Sequence, residues 1–138
     1  KRDWSDSEDF VEGVWLMLNQ DNPKDYLLAS GETHSIREFV EKAFKVAGFR
    51  GHWEGEGIEE KYIDTGGAHE YIFVKVNPDF YRPAEVELLL GDPKEAVEEL
   101  GWKPKNSFDS LVTKMVLWDI EIEQNKHCAK KSTGSWVG

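Results

Sequence analysis

The feature that most constrains the fold is a strongly amphipathic stretch at residues 35–48, SIREFVEKAFKVAG. Its apolar residues recur at helical spacing and would form one face: Ile36, Phe39, Val40, Ala43 and Phe44. Ser35 and Glu38 make the capping-box pair that starts a helix, and Gly48 is the residue type that ends one. The stretch therefore predicts a helix over residues 35–48.

The rest of the chain predicts further helices and short strands. Apolar periodicity and capping residues predict helices at residues 5–20, 92–100 and 107–124. Aromatic and β-branched residues predict strands at residues 25–30, 50–57 and 70–76. Glycines and acids through Gly67 predict an exposed excursion, and the polar residues 126–138 predict a mobile tail after a domain of residues 1–125. Because regular βαβ units are lacking, the pattern favours an α+β fold with about four helices.

Composition narrows the classes of partner. The chain has 138 residues, enough for one domain with a core, and a net charge of −10. Such a charge repels nucleic acid, so a phosphate ligand would need a local group of arginines. Cys128 has no partner for an internal disulfide, and no stretch approaches the roughly 18 apolar residues of a membrane span. These features predict a soluble, cytoplasmic protein, and the charged start without methionine indicates a piece of a longer chain.

The usual catalytic and cofactor motifs are missing from the sequence. It has no G-x-G-x-x-G turn, no P-loop and no H-E-x-x-H, and its four histidines are scattered. Tyr71 and Lys75 have the Tyr-x-x-x-Lys spacing of a short-chain dehydrogenase pair, which requires a helix. The intervening Ile-Phe-Val predicts a strand, which would separate the two side chains by about 13 Å. We therefore predict no catalytic, cofactor-binding or metal-binding residue.

Two charged stretches are candidate binding sites. In FYRPAEVELLLGDP, Pro83 biases Arg82 towards extended geometry, so its guanidinium could bind a diphosphate while Glu85 accepts donors from a base. A surface ion pair between Arg82 and Glu85 is the alternative, and the spacing alone favours it. In the opening KRDW, Lys1 and Arg2 precede a helix in an acidic chain; there Asp3 could cap that helix and Trp4 could stack. The alternative there is a solvated basic end.

Several longer segments resemble one family. RDW, followed by DFVEGVWLML, then GETHSIREFVEKAF, then NPDFYRPAEVELLLGDPKEAVEELGWKP, is similar to the C-terminal half of GDP-mannose 4,6-dehydratases. The likeness runs from residue 1 to about residue 116. GETHSIREF and YRPAEVELLLGD are its most specific parts, because GDPKEAVEELGWKP resembles many nucleotide-sugar enzymes.

The resemblance implies the substrate-binding part of an extended short-chain dehydrogenase, with an NAD(P)-binding Rossmann fold whose sheet is mostly missing here. The family converts GDP-mannose to GDP-4-keto-6-deoxymannose for GDP-fucose biosynthesis, using NADP that the missing N-terminal domain would bind. The chain would then hold the GDP part, would be inactive alone, and would form a homo-oligomer at full length, without nucleic acid or membrane partners. Another nucleotide-sugar dehydratase or epimerase, or a non-catalytic acidic interaction module, remains the alternative.

The resemblance also implies site residues. Arg2 and Arg82 match the family's arginines that would face the diphosphate or ribose, Glu85 matches its nucleotide-proximal glutamate, and Lys1 is a further candidate. One departure concerns RDWSDSEDFV, where the family usually reads RDWGHAKDYV. The departure introduces Asp6 and Glu8, which would strengthen helix capping but bring negative charge towards a diphosphate.

Overall fold

The computed structural model describes residues 1–67, 71–82 and 89–133. Its helices are α1 (Ser7–Leu18), α2 (Ile36–Val46), α3 (Lys94–Leu100) and α4 (Phe108–Thr133). Its strands are β1 (Gly51–Glu54), β2 (Lys61–Asp64) and β3 (Ile72–Lys75), and short 3₁₀ helices occupy Gly57–Glu59 and Pro78–Phe80. The described part is therefore a small α+β structure, as the sequence predicts. None of its helices is long and apolar enough to cross a membrane.

Helix α2 has the capping box that its sequence predicts. The Ser35 hydroxyl accepts a bond from the Glu38 backbone N–H at 3.1 Å, and the Glu38 carboxylate accepts one from the Ser35 N–H at 2.6 Å. These bonds satisfy two N–H groups that a helix start otherwise leaves without partners. The helix packs against α4, where Lys42 forms an ion pair with Asp109.

The sheet is antiparallel in the order β1-β2-β3 and packs on α2. The Phe44 ring of α2 stacks on Phe73 of β3 with 4.5 Å between ring centroids, and it contacts Tyr62 of β2 at 5.5 Å. Strand β2 lies where the sequence predicts an exposed excursion, and that prediction is wrong because Tyr62 and Ile63 are buried. Pairing with both neighbours gives this short segment its place in the sheet.

One predicted strand does not form, and one predicted helix end differs from the structure. Residues 25–30 form no strand, since the backbone N–H of Ser30 donates to the Asp3 carboxylate instead of to a strand partner. Helix α4 continues beyond the predicted end at Gln124 to Thr133, so the predicted start of the tail at residue 126 falls within a helix. Residues 134–138 lie outside the described range.

A small core holds α1 and α3 together. Ala96, Leu100 and Trp102 are buried, and partly buried side chains from α1 and from the following segment surround them: Leu16, Met17, Tyr26 and Leu28. The Trp102 indole N–H donates to the backbone oxygen of Asp9 at 2.8 Å. This packing brings residues 2–10, 27–31 and 89–93 close together, and a cleft lies between them.

Candidate functional site

A cleft of about 540 Å³ lies between three chain segments, and we call it the Arg2 cleft. Residues 2–5 and Phe10 form one side, while residues 27–29 and 89–91 form the other. Leucines dominate the second side, and Arg2 supplies a cation to the first. An apolar wall beside a guanidinium suits a ligand that has both a flat apolar part and an anionic part.

The backbone of Arg2 is fixed to the start of α2. Arg2 N–H donates to the His34 oxygen at 3.0 Å, and His34 N–H donates back to the Arg2 oxygen at 2.9 Å. The Arg2 guanidinium also donates to the Lys1 backbone oxygen at 2.9 Å. The arginine that the sequence singles out therefore starts from a defined backbone position at the edge of the cleft.

Asp3 does not cap α1, contrary to the sequence-based interpretation. Its two carboxylate oxygens accept the backbone N–H groups of Ser30 at 3.0 Å and of Gly31 at 3.1 Å. Burial raises the pKa of Asp3, but these bonds and those from the Ser30 and Ser5 hydroxyls outweigh it and hold the pKa below its usual value. The helix cap is Asp6 instead, which accepts the Glu8 N–H at 2.9 Å.

Two glycines allow the walls of the Arg2 cleft to approach closely. Gly31 has a φ of 78°, in the left-handed region that side chains disfavour, and this turn presents its N–H to Asp3. A Cβ built on Gly91 would lie 2.3 Å from the Cβ of Ala29, so only glycine lets residues 89–91 lie against residues 27–29.

Arg82 lies in a second cleft, of about 660 Å³, which we call the Arg82 cleft. In the sequence, Arg82 follows the 3₁₀ helix Pro78–Phe80, whose start is capped by the Asn77 side chain. Ile36 also lines this cleft, two residues after the His34 that pairs with Arg2. The two arginines therefore line different clefts, one beside the Arg2–His34 bridge and the other beside Ile36.

The other two predicted site residues have different outcomes. Lys1 lies within electrostatic reach of Glu38: its charge helps to lower the pKa of that carboxyl, after the larger effect of the Ser35 backbone N–H. Glu85 lies outside the described residues, so its role stays a prediction.

The acids Asp6 and Glu8 both pair with Lys114 of α4. Asp6 is 2% exposed, and the Lys114 ammonium of α4 lies 3.2 Å from its carboxylate and 2.7 Å from that of Glu8. Neither acid lines the cleft. Lys114 therefore offsets part of the negative charge that these acids bring near the cleft, and their effect on anion binding stays a prediction.

Aromatic side chains support the segment that carries Arg2. Trp4 stacks on Phe39 with 5.0 Å between centroids, and His34 stacks on Phe108 at 3.9 Å and 5° between planes. Trp4, a candidate stacking surface in the sequence, thus contacts α2. The sequence does not predict the structural role of His34, because no local spacing links it to Phe108 at the start of α4.

Comparisons with known proteins assign the chain to a family. The family model described as GDP-mannose 4,6 dehydratase matches residues 1–115. The chain is 48% identical over 126 residues to the GDP-mannose 4,6 dehydratase of Dictyostelium discoideum. The aligned region covers 91% of this chain and 35% of the relative. It is 46% identical to the enzymes of the same name from Drosophila melanogaster and Homo sapiens, over 88% of this chain and 30% and 32% of theirs.

The chain thus spans about a third of the length of these curated relatives. The family model covers most of the chain, and the identities extend over nearly all of it. The resemblance seen in the sequence is confirmed: the chain belongs to the GDP-mannose 4,6-dehydratase family.

Proposed function

We propose that this chain is the part of a GDP-mannose 4,6-dehydratase that binds the GDP portion of GDP-mannose, with residues 1–125 as a lid domain over the nucleotide. The observation that carries the proposal is Arg2, held by its backbone pairing with His34 at the side of an apolar cleft. A guanidinium offers paired donors to phosphate oxygens, and leucine side chains can cover a purine ring. In a chain with a net charge of −10, a fixed local cation is what an anionic ligand requires.

Arg82 and Lys1 extend the proposed site. Arg82 lines the second cleft together with Ile36, two residues after the His34 that pairs with Arg2, so a long ligand could contact both guanidinium groups. Lys1 adds positive charge beside Arg2, and Glu85 would accept donors from the base. The family relationship supports this extended site, because a nucleoside-diphosphate sugar is a long ligand with a base at one end, a sugar at the other and the diphosphate between them.

The remaining chemistry is assigned to protein outside this chain. The family implies NADP, but the described residues do not fit a dinucleotide: their sheet is antiparallel, and the sequence has no glycine-rich turn between strand and helix. Tyr71 immediately precedes the extended strand β3, and Lys75 is the last residue of that strand. This geometry separates their side chains. We therefore propose that a Rossmann domain of the extended short-chain dehydrogenase type binds NADP and catalyses the dehydration, in a cytoplasmic homo-oligomer.

Isothermal titration of the protein at its natural length with GDP, ADP and UDP tests the binding role. We expect GDP to bind most tightly. Arg2→Ala and Arg82→Ala should each weaken GDP binding by about tenfold or more, since a hydrogen bond to a charged group contributes about 1.5–3 kcal/mol. Arg50→Ala removes the same charge from an exposed position outside both clefts and should leave the affinity unchanged.

The other outcomes identify the alternatives. Equal or tighter binding of ADP or UDP would point to an enzyme of another nucleotide sugar. A folded protein that binds none of the three nucleotides would indicate a non-catalytic interaction module. A separate assay with GDP-mannose and NADP should detect no product from the 138-residue chain alone, and product formation would refute the proposed division of labour.

A further inference from the structure

Asp3 makes an unusual pair of contacts for a residue beside a candidate anion site. Its two carboxylate oxygens accept the backbone N–H groups of the consecutive residues Ser30 and Gly31, 27 and 28 positions away in the sequence. The Ser5 hydroxyl donates a third bond at 3.3 Å. The carboxylate therefore joins the start of the chain to a turn that directly follows the cleft-lining residues 27–29.

These bonds continue the backbone pairing of Arg2. Arg2 is joined to His34 through both its N–H and its oxygen, and the next residue is joined to the turn at residues 30 and 31. Four hydrogen bonds thus join the consecutive residues Arg2 and Asp3 to residues 30, 31 and 34. Rotation of the backbone at Arg2 would break at least one of these contacts.

The charge of Asp3 argues against a direct role in attracting an anion. Asp3 lines the same cleft as Arg2, so its negative charge alone would weaken the binding of a diphosphate there. A residue that opposes the ligand electrostatically but fixes the cation beside it has a geometric role.

We propose that Asp3 is a positioning residue, which holds Arg2 in the orientation that binds the diphosphate by fastening the N-terminal segment to the Ser30–Gly31 turn. The proposal rests on the nucleotide-binding role assigned to the Arg2 cleft. An asparagine at this position has one acceptor oxygen and a donor NH₂, so one of the two backbone N–H groups would face a donor. The segment would then spend less time in the binding geometry, and the apparent affinity would fall by the same fraction.

The test is titration of the protein at its natural length with GDP and with guanosine. Asp3→Asn should weaken GDP binding about tenfold, as expected if the binding geometry is populated about a tenth of the time. Guanosine has no phosphates for Arg2 to bind, so its affinity should not change. Electrostatics alone predicts tighter GDP binding by this variant, since the substitution removes a negative charge from the cleft.

Two further variants control for charge and for folding. Asp25→Asn changes the net charge equally at an exposed position outside the cleft, and should not weaken GDP binding. Gly31→Ala keeps the Asp3 charge but strains the turn at φ 78°, where the new Cβ would have no close contact nearer than 3.8 Å. It should weaken GDP and spare guanosine, and it replaces Asp3→Asn as the test if circular dichroism shows that variant to be unfolded.

The outcomes separate this inference from the proposed function. If the wild-type protein binds GDP and Asp3→Asn binds it equally or more tightly, the positioning role is wrong and the nucleotide site stands. A loss of guanosine affinity equal to the loss of GDP affinity would show general damage to the cleft and would also overturn the positioning role. If the wild-type protein does not bind GDP, the proposed function itself fails.

Discussion

The packing around Trp102 and the packing of the sheet on α2 depend on different interactions. Around Trp102, a buried and a partly buried hydrogen bond join distant segments: the indole donates to the Asp9 oxygen, and the Asp9 carboxylate accepts the Asn106 N–H at 3.0 Å. In the sheet region, aromatic rings meet at 4.5–6.3 Å, and the hydrogen bonds to α2 lie at exposed positions, as between Trp53 and Glu41.

This difference predicts which region of the molecule tolerates amino-acid substitutions and which does not. A buried hydrogen bond has narrow limits of distance and angle, and the partner it leaves behind when broken costs about 1–3 kcal/mol. Ring contacts are broad, and similar apolar volumes can replace one another. We therefore expect conservative substitutions to be costly near Trp102 and cheap in the sheet.

The largest expected effect is that of Trp102→Ala. Trp102 is 1% exposed at the centre of the α1–α3 core, so its loss should lower the free energy of unfolding by about 3–5 kcal/mol. Urea denaturation followed by tryptophan fluorescence and circular dichroism measures the change. Trp15→Ala is the matched control, because Trp15 is 62% exposed on α1 and should cost less than about 1 kcal/mol. Equal losses in the two variants would contradict this account of the core.

Asp9→Ala comes next. Asp9 is 2% exposed, and its removal leaves the partly buried N–H of Asn106 without an acceptor, which should cost about 1–3 kcal/mol. The same urea experiment measures it.

Asp9→Asn sharpens that result, because the amide oxygen can still accept the Asn106 N–H. It should cost clearly less than Asp9→Ala. If both variants lost the same stability, the charge of Asp9 and not its hydrogen bond would be responsible, and the contrast between the two regions would weaken.

The same contrast explains which parts of the fold the sequence predicts. Helix α2 is predicted well because its cap and its apolar face are both local signals. Strand β2 is missed because Tyr62 and Ile63 are placed by pairing with β1 and β3, and their glycine- and acid-rich surroundings indicate a loop. Residues 25–30 are predicted as a strand from composition, but their partner is the Asp3 carboxylate, which no local pattern shows.

The candidate site divides in the same way. The sequence singles out Arg2 and Arg82 through the residues around them, and each lines a cleft in the structure, while their binding roles stay predictions. The roles of Asp3 and His34 in fixing Arg2 are not found, since they depend on contacts across about 30 positions. The pairing of Asp6 with Lys114 spans 108 positions, so the sequence shows the acid but not the cation that neutralises it.

A smaller effect is expected from Phe73→Leu in β3. Leucine keeps much of the apolar volume against Phe44 and Phe49, and the site is only partly buried, so the cost should be about 1 kcal/mol. Ile72→Ala, on the exposed side of the same strand, is the control and should cost less. A loss from Phe73→Leu as large as that from Asp9→Ala would show that the aromatic contacts are as specific as the buried hydrogen bonds.

The smallest expected effect depends on pH and concerns Asp6, at the edge of the Trp102 region. The Glu8 backbone N–H and the Lys114 ammonium hold the pKa of Asp6 below its usual value, against the opposing effect of burial. A carboxyl whose pKa is lower in the folded state stabilises the fold above the unfolded pKa, about 3.9, and loses that contribution as pH falls through the folded pKa. Asp6→Asn retains a good helix cap but lacks the charge.

The variant should therefore be less stable than the native chain at pH 7 by under about 1 kcal/mol, and the difference should shrink at pH values below about 4. Urea midpoints at pH 7, 5 and 3 measure the two stabilities side by side. A difference that stays constant across this range would mean that the charge of Asp6 contributes nothing and that the substitution acts through the local geometry of the side chain. The acid introduced in this chain would then stabilise α1 without any contribution from Lys114, and the α1–α4 contact would depend on Glu8 alone for its ion pair.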